Sequence, residues 1–340
     1  MKTIIMSMAS LLLFTITGLG CDYCLLTQGV SPLETSRGVG LRLDERYTRL
    51  STLFVNGNRV DHTNDLETYW TTQVTAFYSL TSRLTLTAVV PFSRRFEREG
   101  DENVPEAAGA RTPRQLPGLF KTGGVNSVAG VLHGGDGAPG SSFGLGDITL
   151  LARYQLFQRH SLASTLTVAL QGGLRLPTGK TTAVNSAGET LTAHIQPGTG
   201  AFTYMAGLSA SYAVKRVSIT ANGLVGLPTR GEVGDDSYEY GNSITYDTSI
   251  RYRLSGSLQN PLKVFATAGI AGEYREQELF NQEPVDGTGG HTVYVTPGIQ
   301  FFFNPVIFEF SFWQPVIQNL DGEQLGETFK TYASFTFLLR

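Results

Sequence analysis

The chain has 340 residues, a formal net charge of −3 and only 16% charged residues, against roughly 25% in an average soluble domain. That balance excludes electrostatic capture of nucleic acid, and 39 glycines with 20 Phe and 14 Tyr exclude a solvated disordered chain and favour turns and strands. A mean hydropathy of −0.05 is too polar for a helical membrane bundle, and past residue 20 no run reaches the ~18 apolar positions that a spanning helix needs.

At the N-terminus, Lys2 precedes an apolar stretch from Ile4 to Leu19, and Gly18-Leu19-Gly20 supplies the small-x-small pattern of a signal-peptidase site. Residues 1–20 therefore read as an export signal, because a stretch that is oily all round lacks the polar face of a soluble helix. Residues 21–38 follow as a periplasmic arm carrying Cys21-Asp-Tyr-Cys24. No histidine follows Cys24, as haem attachment would need, and no second cysteine pair completes a zinc site. Cys21 and Cys24 are a candidate disulfide. Lipid attachment at Cys21 and a thiol contact with an electron-transfer partner are the other readings. No metal site and no cofactor is expected.

From residue 39 onward a period of two replaces any helical period. In 162–176, Leu162, Leu166, Val168, Leu170, Leu174 and Leu176 share one parity, and Thr165, Thr167, Gln171 and Arg175 share the other. In 240–254, Tyr240, Ile244, Tyr246, Ile250, Tyr252 and Leu254 oppose Ser243, Thr245, Asp247, Ser249, Arg251 and Arg253. About twelve such segments are expected: 39–52, 67–80, 84–96, 146–157, 162–176, 199–213, 217–227, 239–254, 262–275, 291–303, 306–316 and 327–340. They are longer than the ~5–6 residues usual in soluble sheets and match tilted strands that cross a bilayer.

The links alternate. Short ones at 81–83, 158–161, 214–216, 255–261 and 304–305 are interleaved with long ones near 53–66, 97–145, 177–198, 228–238, 276–290 and 317–326. This predicts an all-β chain forming a transmembrane antiparallel up-and-down β-barrel over 39–340, with tight turns in the periplasm and long loops outside the cell. An even strand number leaves both termini in the periplasm. Closure is forced, since an unpaired backbone group in hydrocarbon costs several kcal/mol. A soluble propeller or sandwich would have shorter strands and no such alternation.

With the oily parity facing lipid, the pore-lining candidates are Arg153, Gln171, Arg175, Asp247, Arg251, Glu273, Glu309 and Lys330, and Arg253 and Lys263 share their parity. Trp70, Tyr78, Phe92, Tyr154, Tyr204, Tyr212, Tyr274 and Phe308 fall near strand ends on the lipid parity, as interfacial girdles do. Glu45, Arg49 and Arg94 fall on the oily parity and are expected above the membrane or beyond a bulge. The expected partners are outer-membrane lipid and lipopolysaccharide, the barrel assembly machinery and a small-molecule solute, with no nucleic acid. The tail Phe335-Thr-Phe337-Leu-Leu-Arg340 resembles the C-terminal signature of outer-membrane barrels, departing from it at Arg340.

Catalytic motifs are weak. Gly179-Lys180-Thr181 is no phosphate loop, since Leu174 stands where its first glycine should be. Of the five histidines, His62, His133, His160 and His194 lie in loops or turns and His291 starts a strand, none with a convincingly spaced serine. No enzyme is therefore expected. The link at 97–145 opens with Glu97, Glu99, Asp101, Glu102 and Glu106 and continues with Arg111, Arg114 and Lys121. It reads as a solvated external loop or as a constriction folded into the lumen.

Phe143-Gly-Leu-Gly-Asp147-Ile-Thr-Leu-Leu-Ala-Arg153-Tyr154, followed by Gly173-Leu-Arg-Leu-Pro177-Thr-Gly179, resembles the outer-membrane family described as "Putative MetA-pathway of phenol degradation", which is regarded as transporter-like. The resemblance covers residues 143–180, with Asp147, Arg153 and Pro177 as motif positions. It implies a barrel for small, hydrophobic or aromatic compounds. The combined reading is a passive outer-membrane channel or facilitator with a narrow or partly plugged lumen, as twelve strands allow. One alternative is a structural barrel or sheath for a periplasmic or electron-transfer partner, because the Cys-x-x-Cys arm resembles those of barrels that sheath multihaem cytochromes. Another is an outer-membrane lipid or ester hydrolase. The solute, the direction of flux and the oligomeric state are not legible.

Overall fold

The computed structural model describes residues 39–60, 65–98, 140–254 and 261–339. Among them there is no helix, and twelve wall strands follow in chain order. They are β1 (Val39–Val55), β2 (Leu66–Ser79), β3 (Leu84–Arg98), β4 (Ser141–Leu145 continued by Thr149–His160), β5 (Ser164–Arg175) and β6 (Thr203–Val214). Then come β7 (Val217–Pro228), β8 (Ser243–Arg253), β9 (Leu262–Arg275), β10 (Gly290–Val295 continued by Gly298–Phe303), β11 (Val306–Leu320) and β12 (Glu323–Leu339). Each pairs antiparallel with the next, and β12 returns to β1 from Leu339 opposite Val39 to Glu323 opposite Val55. The cylinder is closed and has no edge, which is the condition for crossing hydrocarbon with strands.

Alternation fixes the two faces. On β6, Leu208 points out and is 55% exposed, whereas Ser209 points in and is 6% exposed. Ile270 on β9 and Leu170 on β5 lie on the same apolar outer surface. Trp70, Tyr78, Tyr154, Tyr204 and Tyr212 are exposed on it as well. Glu45 also faces outward, and accepts from Trp70 Nε1 at 2.7 Å and from Thr72 Oγ1 at 2.9 Å. Arg94 is exposed opposite Trp70 in the β2–β3 ladder. These charges therefore sit beside Trp70 on the outer face.

At one end the links are tight, as at Lys215-Arg216 and Asn304-Pro305. The other end corrects the expected alternation. The link placed at 317–326 is only Asp321-Gly322, because β11 runs on to Leu320 and β12 starts at Glu323. Gly322 takes the left-handed conformation that such a turn needs, at φ 66°. It also bonds the neighbouring hairpin, its carbonyl accepting from Asn56 N–H at 2.6 Å. Asn56 and Gly57 themselves turn β1 into a short extension, Asn58–Val60.

Two further expected strands start late, because their first residues belong to a cap. The segment drawn at 199–213 begins at Thr203, and that drawn at 239–254 begins at Ser243. Tyr240, read as lipid-facing, is instead buried with Ala193, Val233 and Tyr238, and Phe280 packs against them. Four short strands, Gly231–Val233, Asp236–Glu239, Leu279–Phe280 and Glu283–Pro284, form a separate sheet over the long-loop end. The link at 176–202 runs under it, with Leu191, Ile195 and Gln196 fully buried.

Candidate functional site: the lumen and its cap

Near the tight-turn end, one polar cluster crosses the lumen from β1 to β8. Arg42 Nε lies 2.5 Å from Asp44 Oδ1, and Arg42 also reaches Glu309 at 3.2 Å. Tyr332 donates to Asp44. Glu309 takes a second guanidinium, Arg251 at 3.6 Å, together with donors from Gln300 at 2.7 Å and Ser334 at 3.3 Å. One turn of the wall higher, Lys330 Nζ sits between Glu273 at 2.8 Å and Glu327 at 3.0 Å, while Tyr294 donates to Glu327 at 2.9 Å. Ala271, Tyr294, Trp313 and Tyr332 pack beside these ions as a core inside the cylinder. Buried charges of this kind are tolerated only when each is paired.

The remaining candidates are placed as follows. Asp247 accepts from Asn222 Nδ2 at 3.0 Å. Arg153 donates from Nε to Ser209 Oγ across β5 at 3.4 Å. Gln171 is half-buried on the inner parity of β5. Arg175 is buried and lines a cavity of about 70 Å³ with Arg46, Arg95, Asp147, Pro197 and Thr199. The structure thus joins Arg251 to Glu309 and Glu273 to Lys330, leaves Arg153, Gln171 and Arg175 on β4 and β5, and places Asp247 on β8, the strand of Arg251. Cys21, Cys24 and most of the 97–145 link lie outside the described residues.

The motif Gly-x-Gly-Asp does more than enter a strand. Asp147 accepts from Gly179 N–H at 2.9 Å, Thr199 N–H at 2.9 Å and Thr199 Oγ1 at 2.5 Å. It therefore holds both ends of the 176–202 link. Pro177 has no N–H to continue the ladder, so β5 stops at Arg175. Thr178 Oγ1 then turns back to accept from Ile148 N–H at 2.8 Å. A Cβ on Gly179 would stand 2.5 Å from the Gly198 backbone, so the two ends of the link touch because both are glycine. The clamp points the link inward, across the mouth.

Its tip is latched to the cap. His194 Nε2 lies 3.2 Å from Glu278 Oε2, Arg275 lies 3.4 Å from Glu278 Oε1, and Tyr238 donates to the same carboxylate. Arg95 on the wall donates to the His194 carbonyl, and Tyr240 donates to the Ala193 carbonyl at 3.1 Å. Burial alone would push the Glu278 carboxyl up, but His194, Arg275 and the Tyr238 hydroxyl together hold it down at about 2. Burial first, and the Glu278 charge second, drive the Tyr238 phenol well above its usual range. No spacing in the sequence joins His194 to Glu278. The other described histidines bond elsewhere, His160 to Thr165 at 3.1 Å and His291 to Tyr246 at 2.8 Å.

A family model described as "Putative MetA-pathway of phenol degradation" matches residues 115–314. Among solved structures, the COG4313 outer membrane channel from Pseudomonas putida F1 is similar over 94% of this chain and 99% of that one, at a TM-score of 0.61 and 13% identity. The CymD monoaromatic hydrocarbon channel matches 96% of this chain and 95% of that one, at 0.41 and 13% identity. LpxR from Salmonella typhimurium matches 88% of this chain and 100% of that one, at 0.39 and 10% identity. The first likeness shows a shared fold, and the other two are too distant to carry an argument. No curated protein matches the chain in sequence.

Proposed function

The chain belongs to the family described as "Putative MetA-pathway of phenol degradation", whose model spans more than half of it, and on that premise we propose that it is a passive outer-membrane channel for small, hydrophobic or aromatic solutes. The observation that carries this reading is the division of the closed wall into an apolar outer face and a polar, charged inner one. An apolar belt costs free energy in water and gains it in hydrocarbon, and an inner face of Ser, Thr, Asn and paired ions holds water. The structure that shares the fold points the same way, since the COG4313 protein is an outer membrane channel.

In this reading the tight turns and both termini face the periplasm, with residues 1–20 as the export signal and 21–38 as an arm below the barrel. Lipopolysaccharide surrounds the long-loop end, and the barrel assembly machinery inserts the chain. Arg153, Gln171, Arg175, Asp247, Arg251, Glu273, Glu309 and Lys330 line the lumen and set its potential. The cap and the 176–202 link restrict the outer mouth, so conductance is low and small solutes are favoured.

The test is reconstitution of the refolded protein, checked by heat-modifiable gel migration, into liposomes whose swelling is followed with solutes graded in size and polarity. Swelling that falls with solute size supports the channel. A heat-modifiable barrel that gives neither swelling nor single-channel conductance overturns it.

A further inference from the structure

At the tight-turn end the lumen opens into a cavity of about 310 Å³ between β6 and β11. Its cationic lining is Lys215, Arg216, Arg251, Arg253 and Lys263, and among the described residues no carboxylate lines it. Arg251 reaches Glu309 at 3.6 Å, but Arg42 already holds that carboxylate at 3.2 Å. Among the described residues Lys215, Arg253 and Lys263 have no carboxylate partner. Arg253 Nε is buried in this setting without a hydrogen-bond partner, although a guanidinium N–H removed from water normally finds an acceptor. The rest of the lining is mostly apolar, with Phe265, Phe302 and Ile307 beside the polar Ser218 and Gln300, and Lys263 Nζ lies 5.4 Å from the Phe302 ring centre.

Arg253 and Lys263, without a carboxylate partner among the described residues and beside aromatic rings, select for two properties in one ligand. A carboxylate satisfies the guanidinium and ammonium donors, and bidentate capture by Arg suits its planar fork. A ring or short apolar body covers Phe265 and Phe302. A neutral aromatic compound would leave the charges unanswered, and a small inorganic anion would leave the rings wet. The cavity lies inside the cylinder, so a two-chain lipid cannot enter it from the bilayer.

We propose that this cavity is a binding site for aromatic carboxylates at the periplasmic mouth of the barrel. The inference rests on the channel reading for its biological sense and names a solute class for it, but the site itself is testable without transport. Arg253 and Lys263 hold the carboxylate, Arg251 supports it from the wall, and Phe302 with Phe265 holds the ring.

The experiment titrates the refolded full-length protein in detergent with benzoate, benzyl alcohol, acetate and inorganic phosphate, using calorimetry or ligand-observed NMR. In parallel, swelling is measured with uncharged sugars. Benzoate is expected to bind at least ~10-fold more tightly than benzyl alcohol, acetate or phosphate. Arg253→Gln and Lys263→Gln are each expected to weaken benzoate ~10-fold, with heat-modifiable migration showing that both variants fold. Phe302→Ala is expected to bring benzoate down towards acetate. Equal affinity for acetate and benzoate, equal affinity for benzyl alcohol and benzoate, or benzoate binding unchanged in both charge variants overturns the proposal. Swelling in sugars without benzoate selectivity rejects the site and keeps the channel; benzoate selectivity without swelling or conductance does the reverse.

Discussion

Asp147→Ala is the sharpest probe of how the capped, long-loop mouth is held. The side chain is 7% exposed and accepts from two backbone N–H groups, Gly179 and Thr199, besides the Thr199 hydroxyl. Hydrogen bonds to a charged acceptor contribute about 1.5–3 kcal/mol each, so the two backbone donors alone amount to about 3–6 kcal/mol of local free energy. At ~1.4 kcal/mol per decade, even the lower figure raises the opened population of the 176–202 link by about 100-fold. The loss is local. The ladders from β4 to β6 do not depend on Asp147, so heat-modifiable migration should be unchanged while hydrogen-exchange protection at the Gly179 and Thr199 amides falls by that factor. Single-channel conductance should rise because the link no longer lies across the mouth. Asp147→Asn keeps one acceptor and turns an amide donor towards Thr199 or Gly179, so it should fall between wild type and Asp147→Ala. Unchanged protection at both amides in Asp147→Ala would refute the clamp.

Three other outcomes follow from the same geometry. The Glu278 carboxyl sits at about 2 against an ordinary 4.5, so its hold on the cap is fully present above about pH 4.5 and is lost as pH falls towards 2, a change of roughly 3 kcal/mol. Conductance should therefore rise on acidification, and Glu278→Gln should raise it at every pH and flatten the profile. Lys330→Met leaves Glu273 and Glu327 buried without their cation, and should cost ~3–5 kcal/mol, read as a lower urea midpoint for loss of the fast-migrating folded band. Replacing both glutamates by Gln in the same chain should recover most of that loss. Arg175→Glu should shift ion preference towards cations, and more so in the Asp147→Ala background, because Arg175 is buried beneath the clamped link. An unchanged reversal potential in salt gradients removes Arg175 from the selectivity argument.

The wall was legible because period two is a local signal. Leu208 and Ser209 take opposite faces for reasons contained in their own strand, and the same holds from β1 to β12. The ends were less legible, because a strand stops where hydrogen bonding stops, not where oily residues do. Gln318 and Glu327 carry β11 and β12 past the apolar zone, with the Gln318 side chain bonding the Glu327 backbone N–H at 2.7 Å and carbonyl at 3.0 Å. That continuation turned an expected long loop into a tight turn. Tyr240 has strand parity, yet its neighbours Ala193 and Tyr238 come from the 176–202 link and the cap. The Asp147 motif was visible as a pattern, but its partner Thr199 lies on the far side of a long link. The pairing of His194 with Glu278 left no trace, since an ion pair between two loops has no periodicity.

The lumen is not uniform around its axis, and this bears on where a solute could pass. Bulk is concentrated on one side. Tyr294, Trp313 and Tyr332 project from β10, β11 and β12, are buried, and sit among ions that already have partners. Away from them, β6, β7 and β8 present Ser211, Thr220, Asn222 and Ser249, all half-buried, with Thr220 Oγ1 2.7 Å from Ser249 Oγ. Small hydroxyl and amide side chains leave room for water that the aromatic side excludes. A path along β6–β8 meets the clamped 176–202 link above and opens below among Arg251, Arg253 and Lys215. Selectivity and gating then fall on different parts of the chain. Charge at the tight-turn mouth belongs to wall strands fixed by continuous ladders, whereas the long-loop mouth depends on a few side-chain contacts, and those give way first.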